Sequence, residues 1–274
     1  IVTGTPQTDG AGVRLVRVIS RRDVEDFDPF LMLDAFDSRD PADYIRGFPW
    51  HPHRGIETVT YLVNGEIDHS DSLGNSGTIR DGGCQWMTAG SGIIHQEMPQ
   101  ASPRMLGLQL WLNLPRKDKF TAPQYRDLSG DKIPRVQEDG VRVGVICGHY
   151  GATAGPTQGD YVRATMLDVE MAAGSVFRLP TDPAKTVFIY ILAGSGVVGE
   201  GDENLASHRA VLLGSGDVFQ ARAGQDGMRL VLFAGRPLRE PVAWGGPIVM
   251  NTPEELQQAL LKLKTAHLFG HLPT

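Results

Sequence analysis

Four side chains suited to binding a metal ion occur as two closely spaced pairs in the first half of the chain. His51 and His53 flank a proline, and His95 and Glu97 flank a glutamine. In a β-strand, residues i and i+2 project from the same face, so each pair would aim both of its side chains in one direction. If two such strands face each other in a barrel, the spacing predicts one metal centre. Three imidazoles and one carboxylate suit iron(II), manganese, nickel or copper, and they leave positions open for substrate or oxygen.

A single His-x-His pair is more often a surface coincidence than a metal site. The second pair favours the metal centre, as does the glycine-rich segment 89–92 that leads into it. The spacing by itself leaves the two interpretations about equally supported.

The elements around these pairs are predicted to be short strands. Gly (33 residues) and Pro (18 residues) are abundant, and apolar runs such as 13–20, 30–36, 57–65 and 106–114 are short and rich in β-branched residues. One helix is predicted near the end, because Thr252, Pro253 and Glu255 form a capping box before an apolar stripe at helical spacing. This pattern predicts an all-β fold with a short C-terminal helix.

Two passages recur in the second half of the chain. Residues 57–65 resemble residues 186–194, and residues 106–111 resemble residues 229–233. The repeat predicts two β-domains that arose by duplication. The polar, proline-containing segment 120–136 suits a linker, which predicts domains at 1–130 and 131–274, the second of them carrying the helix. In the register of the repeat, Pro180 and Asp182 take the places of His51 and His53, so the second domain is expected to hold no metal.

The overall charge excludes some classes of partner. The net charge is −6 with a pI of about 5.7, so we expect no direct nucleic-acid binding, which needs a basic surface. No apolar run approaches the ~20 residues of a membrane span. Cys84 and Cys147 form no CxxC motif, and the expected location is the cytoplasm.

Several long motifs resemble those of the pirin family within the cupin superfamily. Residues 51–62, which begin His-Pro-His-Arg-Gly, are similar to its first signature, and residues 85–99, which contain His-Gln-Glu-Met-Pro, are similar to its second. Residues 68–77, 108–115 and 246–255 are similar as well. The resemblance runs from about Val13 to the C-terminal helix.

The resemblance implies a bicupin, with two tandem double-stranded β-helix (jelly-roll) barrels and one metal ion in the first. The implied ligands are His51, His53, His95 and Glu97. The implied metal is Fe²⁺, with Mn, Ni, Cu, Co and Zn as alternatives. It also implies a quercetin 2,3-dioxygenase-like oxidoreductase that opens flavonols with O₂, with Glu97 as the candidate catalytic base. The alternative is an iron-containing, redox-responsive regulatory protein that acts through a protein partner.

Three further residues are predicted to support the site. Glu57 has the parity of His53, so it could face inward. Many other cupins use a glutamate after the paired histidines as a ligand, but the resemblance to the pirin family implies that the carboxylate comes from the second motif. We therefore expect Glu57 to orient a histidine, with metal binding as the alternative. Gln109 is a polar residue within an apolar strand, where it could reach the pocket or pack with a satisfied amide. His69 lies beyond the turn at Gly65, at the pocket mouth or facing water.

Overall fold

The computed structural model describes residues 1–264, and within them β-strands are the main regular structure. The first half contains twelve strands: β1 (Val2–Thr3), β2 (Thr5–Asp9), β3 (Val13–Ile19), β4 (Phe30–Ser38), β5 (Phe48–His53), β6 (Ile56–Asn64), β7 (Glu66–Asp71), β8 (Ser76–Ile79), β9 (Cys84–Thr88), β10 (Ile93–Gln100), β11 (Met105–Asn113) and β12 (Gln124–Leu128). The second half contains twelve more: β13 (Arg135–Glu138), β14 (Val141–Cys147), β15 (His149–Tyr150), β16 (Thr153–Ala154), β17 (Thr165–Met171), β18 (Val176–Pro180), β19 (Thr186–Val198), β20 (Asn204–Ala206), β21 (Arg209–Leu212), β22 (Val218–Gly235), β23 (Ala243–Gly245) and β24 (Ile248–Met250). The helices are α1 (Val24–Phe27) and α2 (Pro253–Lys264), with short 3₁₀ turns at Arg21–Asp23, Pro41–Asp43 and Arg116–Asp118. The predicted all-β fold is confirmed.

The chain divides into two compact units. One contains Thr5–Val24, Phe30–Asp131 and the described residues from Leu238 to 264, and we call it the N-terminal barrel. The other contains Ile1–Gly4, Glu25–Pro29 and Lys132–Pro237, and we call it the C-terminal barrel.

Two antiparallel sheets build the N-terminal barrel. The larger has the strand order β12-β9-β6-β11-β4-β3-β2, and the smaller has the order β5-β10-β7-β8. Alternation along β4 places Met32, Asp34 and Phe36 on one face of the larger sheet. These three residues line the same cavity, so this face is the one that surrounds the candidate site.

A nine-stranded antiparallel sheet forms the C-terminal barrel, along the path β1-β21-β19-β22-β17-β14-β13 with β18 and β20 paired to its long strands. Its core is apolar, with Val143, Leu167, Ile189, Leu230 and Leu232 all fully buried. The repeated passages occupy equivalent places, because β6 pairs with β11 in one barrel as β19 pairs with β22 in the other. This equivalence supports the duplication that the sequence predicts.

The structure places both ends of the chain in a different barrel from the one that the predicted boundary at 130/131 gives them. The segment from Leu238 belongs to the N-terminal barrel, where Ile248 forms a parallel bridge with Arg54 and the amide of Val249 donates to the Arg54 carbonyl. The buried ammonium of Lys119 also donates to Val249 O and to Gly55 O. At the other end, β1 pairs with β21 of the C-terminal barrel. Backbone pairing with distant segments decides which barrel each end of the chain joins, and such pairing leaves no local sequence pattern.

The segment predicted as a linker, 120–136, is partly a strand. Residues Gln124–Leu128 form β12, which pairs with β9 at the end of the larger sheet. The strand has an exposed side, so its sequence is polar, and a polar edge strand is easily mistaken for a loop.

The predicted C-terminal helix is confirmed as α2. Glu255 donates its amide to Thr252 Oγ1 at 3.2 Å, and the Thr252 amide donates to Glu255 Oε2 at 3.1 Å, which is the reciprocal pair of a capping box. Its buried residue Ala259 packs on Ile248 and Met250 of β24. The helix therefore covers a wall of the N-terminal barrel. Among residues 1–264, neither helix has the length and apolar character needed to cross a membrane.

Candidate metal centre

The two predicted ligand pairs lie on adjacent antiparallel strands. In the register of β5 with β10, His95 lies opposite His51 and Ile93 lies opposite His53. Directly opposed residues share a face of the sheet, so the three imidazoles meet on one side. Pro52, between the two histidines of β5, has no N–H to pair, and it is tolerated because β5 is an edge strand.

The three imidazole rings form a tight cluster. Their centroids are 4.3 Å apart for His51 and His95, 4.8 Å for His51 and His53, and 5.0 Å for His53 and His95. One nitrogen from each ring belongs to a set of atoms that all lie within 4.8 Å of one another. That spacing is suited to three ligands around one ion.

The protonation of the cluster also suits a metal site. Burial lowers the pKa of both His53 and His95 well below the usual value, and the nearby His51 lowers them further. Both rings are therefore neutral at neutral pH, and a neutral imidazole offers the lone pair that a metal needs.

Backbone carbonyls orient two of the rings. His51 Nδ1 lies 2.9 Å from Pro49 O, and His53 Nδ1 lies 3.4 Å from Pro247 O. A carbonyl accepts a hydrogen bond, so the Nδ1 of each ring donates to it and Nε2 is the nitrogen left for a metal ion. A backbone partner on the second nitrogen is the usual way in which proteins fix a metal-binding histidine.

His95 provides the test of whether the residues fit a metal ion. The residue is 1% exposed, and neither of its ring nitrogens has a hydrogen-bond partner among the described residues. A buried polar group without a partner costs about 1–3 kcal/mol. An ion coordinated by the ring would remove that cost, so the donor set and its burial fit a metal site.

Glu97 stands beside the histidines in a hydrogen-bonded group of its own. The pairing of β10 with β5 is irregular after His95, which places Glu97 opposite Phe48. The Thr60 hydroxyl lies 2.8 Å from Glu97 Oε1, and Gln109 Nε2 donates to Glu97 Oε2 at 3.4 Å. The carboxylate is outside the set of atoms that lie within 4.8 Å of one another. The fold therefore brings the three histidines together most closely, with Glu97 held on the same cavity wall.

A cavity of about 670 Å³ opens onto this group, and His51, His53, Glu97, Gln109 and Trp111 are among its lining residues. Gln109 therefore reaches the pocket, and its Oε1 also lies 2.7 Å from the Thr60 hydroxyl. The volume is in the range of small-molecule sites in proteins.

His69 is placed differently from either sequence-based expectation. It is buried on β7 directly opposite Glu97, and it neither faces water nor lines the cavity. Its ring contacts the Tyr125 hydroxyl, which in turn donates to Asp127 Oδ1 at 2.8 Å. His69 therefore supports the inner side of β10 rather than the pocket mouth.

Glu57 lies on the opposite face of β6 from Thr60, by alternation along the strand. It belongs neither to the histidine cluster nor to the cavity lining, and its carboxylate accepts a hydrogen bond from Thr88 Oγ1 at 2.6 Å. The parity argument fails at Gly55, whose φ of +75° separates β5 from β6 and breaks the alternation. Thr60, three residues further along β6, supplies the polar contact instead, and no local sequence signal marks it.

Comparisons with known proteins agree with this architecture. Residues 12–112 match the family described as Pirin, and residues 166–269 match the Pirin C-terminal cupin domain. The fold and these matches define a bicupin.

The relatives give the family. A pirin-like protein of Caulobacter vibrioides is 47% identical over 262 residues, which cover 94% of each chain. A Pseudomonas aeruginosa protein that is provisionally named quercetin 2,3-dioxygenase is 44% identical over 265 residues, which cover 94% of this chain and 93% of that one. The crystal structure of quercetin 2,3-dioxygenase from Acinetobacter baumannii superposes with a TM-score of 0.88 at 30% identity, and the match covers 97% of this chain and 96% of that one. The chain belongs to the pirin family.

Proposed function

We propose that this protein is a metal-dependent dioxygenase that opens flavonols such as quercetin with O₂. We further propose that His51, His53, His95 and Glu97 hold one divalent ion, with Fe²⁺ as the native metal. The observation that carries the proposal is a cluster of three histidines, two of which line, beside a buried glutamate, a cavity with aromatic walls. The names of the similar proteins from P. aeruginosa and A. baumannii support the choice of substrate.

The ion supplies Lewis-acid chemistry and a template for the substrate oxygens and O₂ when it is bound. In the proposed reaction one flavonol and one O₂ are consumed. Both oxygen atoms remain in the ring-opened ester, and the excised carbon leaves as carbon monoxide.

The aromatic wall of the cavity binds and orients the flat substrate. The Trp111 ring lies 4.9 Å from His53 and 5.7 Å from Trp244, measured between centroids. Such a wall offers stacking surface to a planar aromatic ligand directly beside the candidate metal ligands. It also excludes water from the reacting end of the substrate.

Glu97 is the proposed base that takes the proton of the flavonol 3-hydroxyl. Its carboxylate lines the cavity, and Thr60 and Gln109 hold it in place. Loss of that proton makes the flavonol electron-rich, which is the form that reacts with oxygen. A positioned general base of this kind contributes about 10²–10⁴ to a rate.

Aerobic incubation of the iron-loaded protein with quercetin tests the proposal. We expect loss of the flavonol absorbance together with stoichiometric carbon monoxide. Glu97→Gln keeps a hydrogen-bonding side chain and should lower kcat by about 10²-fold or more. Absence of both bleaching and carbon monoxide, with iron verified in the wild-type protein, would refute the assignment.

A further inference from the structure

A row of polar side chains crosses the larger sheet of the N-terminal barrel. Arg17 lies opposite Asp34, Asp34 lies opposite Gln109, and Gln109 lies opposite Thr60 on four successive strands, β3, β4, β11 and β6. Opposed residues share a face, so the four side chains form one line on the face that surrounds the cavity. Neighbouring strands are about 4.8 Å apart, which places Arg17 roughly 10 Å from Gln109. Thr60 and Gln109, at one end of the row, contact Glu97. Arg17, at the other end, is farther from Glu97 by about the length of one aromatic ring.

The far end of this row is a fixed charged group. Arg17 Nε and Nη2 donate to the two carboxylate oxygens of Asp34 at 2.9 and 2.8 Å, and Nη2 also donates to Asp9 Oδ2 at 2.8 Å. The Asp34 side chain is 4% exposed and the Asp9 side chain is 49% exposed, so the group extends from the cavity wall to its rim. Arg17 Nη1 has no acceptor among the described residues, so it is available to a ligand.

These residues belong to the same cavity as the histidines. Asp9, Arg17 and Asp34 all line it. Met32, Phe36, Phe48, Trp111 and Trp244 supply the apolar part of the lining. The same cavity therefore holds two of the histidines, an apolar lining rich in aromatic rings, and this charged group.

The chemistry of the charged group selects hydroxyl groups. The three bonded side chains carry a net charge of −1, and the charge of Arg21, which also lines the cavity, offsets it. Two carboxylates offer acceptor positions to phenolic O–H donors, and the free Nη1 offers a donor to a phenolic oxygen.

We propose that Asp34, Arg17 and Asp9 form a subsite for the hydroxyl groups on the substrate ring remote from the metal. The inference rests on the proposed function, and it narrows the substrate class to polyphenols that carry hydroxyls at both ends. It makes these three residues determinants of specificity, whereas the chemistry takes place beside the histidines.

The test compares two flavonols. Quercetin carries two adjacent hydroxyls on its pendant ring, and galangin carries none there, while both share the 3-hydroxyl and the carbonyl next to it. Binding to the metal-loaded protein is measured without oxygen by quenching of tryptophan fluorescence, and turnover is then measured with oxygen. Asp34→Asn and Asp9→Asn should each weaken quercetin binding about tenfold and change galangin binding less than about twofold, since a hydrogen bond to a charged group is removed for quercetin alone.

Asp37→Asn is the matched control. Asp37 lies on the same strand, and Arg104 donates to its two oxygens at 2.8 Å each, so the two arginine–aspartate pairs have the same geometry. Asp37 is not among the cavity-lining residues, so its variant should bind both flavonols as the wild type does. If Asp34→Asn does not fold, the exposed Asp9 carries the same comparison.

The outcomes separate the subsite from the reaction. Equal losses for quercetin and galangin, no loss for either, or no quercetin binding by the wild type would each overturn the subsite. Selective loss of quercetin binding without any turnover would support the subsite and overturn the dioxygenase proposal. Turnover of both flavonols that is unchanged in the two variants would support the dioxygenase proposal and overturn the subsite.

Discussion

Replacing His95 by leucine should stabilise the metal-free protein while it abolishes metal binding. Both ring nitrogens of His95 are buried without a hydrogen-bond partner among the described residues. Leucine has a similar size and no polar atoms to bury. The substitution therefore removes the free-energy cost of burying two ring nitrogens without partners in the metal-free protein.

The size of the effect follows from the burial. A buried unpartnered polar group costs about 1–3 kcal/mol, and an imperfect fit of leucine offsets less than about 1.5 kcal/mol of the gain. We expect the free energy of unfolding to rise by about 1–2 kcal/mol in the metal-free variant. An ion at 100 times its Kd should stabilise the wild type by about 2.7 kcal/mol and leave the variant unchanged, so the order of stability reverses when metal is added.

Urea denaturation with chelator, and again with the air-stable ion Ni²⁺, measures both effects. His69→Leu is the matched control, because His69 is 3% exposed in the same barrel but its ring contacts Tyr125. That variant should lose about 1 kcal/mol without metal and still gain stability from Ni²⁺. The reasoning is refuted if His95→Leu destabilises the metal-free protein as His69→Leu does, or if Ni²⁺ stabilises both variants equally.

Three further substitutions have defined outcomes. Thr60→Val removes the hydroxyl beside Glu97 and should lower kcat/KM for quercetin about tenfold in steady-state assays. Thr58→Val is its control and should leave kcat/KM unchanged, because the Thr58 hydroxyl on the same strand has no partner within residues 1–264. Burial lowers the pKa of Lys119 from 10.5 to about 7. Between these pH values the unfolded chain binds one more proton than the folded chain, so the free energy of unfolding rises with pH. Lys119→Met should lack this rise in urea denaturation from pH 7 to 10. Gly55→Ala should lower the free energy of unfolding by at least ~2 kcal/mol, because φ is +75° and the added carbon would collide with a backbone carbonyl; unchanged urea midpoints would contradict this.

Much of the site can be predicted from the sequence because it depends on local rules. Alternation along a strand places His51 with His53, and α2 begins at the predicted capping box. The strand-rich composition likewise predicts the all-β class. Each of these features is set by residues within a few positions of one another.

The errors occur where distant segments decide the outcome. The parity of Glu57 with His53 is lost at Gly55, and β12 is hidden in a polar segment that becomes a strand only by pairing with β9. The segment from Leu238 joins the N-terminal barrel through bonds to Arg54 and Lys119.

The sequence by itself determined the chemistry available to this protein: two pairs of candidate metal ligands, each of which strand alternation predicts on one face. Only the tertiary structure decided which residues share the cavity with them. It brought β3, β4, β11 and β6 into a register that aligns Arg17 and Asp34 with Gln109 and Thr60. The physical reason is that strands pair through backbone hydrogen bonds, which every residue except proline can both donate and accept. The choice of neighbouring strand and register is therefore settled by which side chains become buried across the whole barrel.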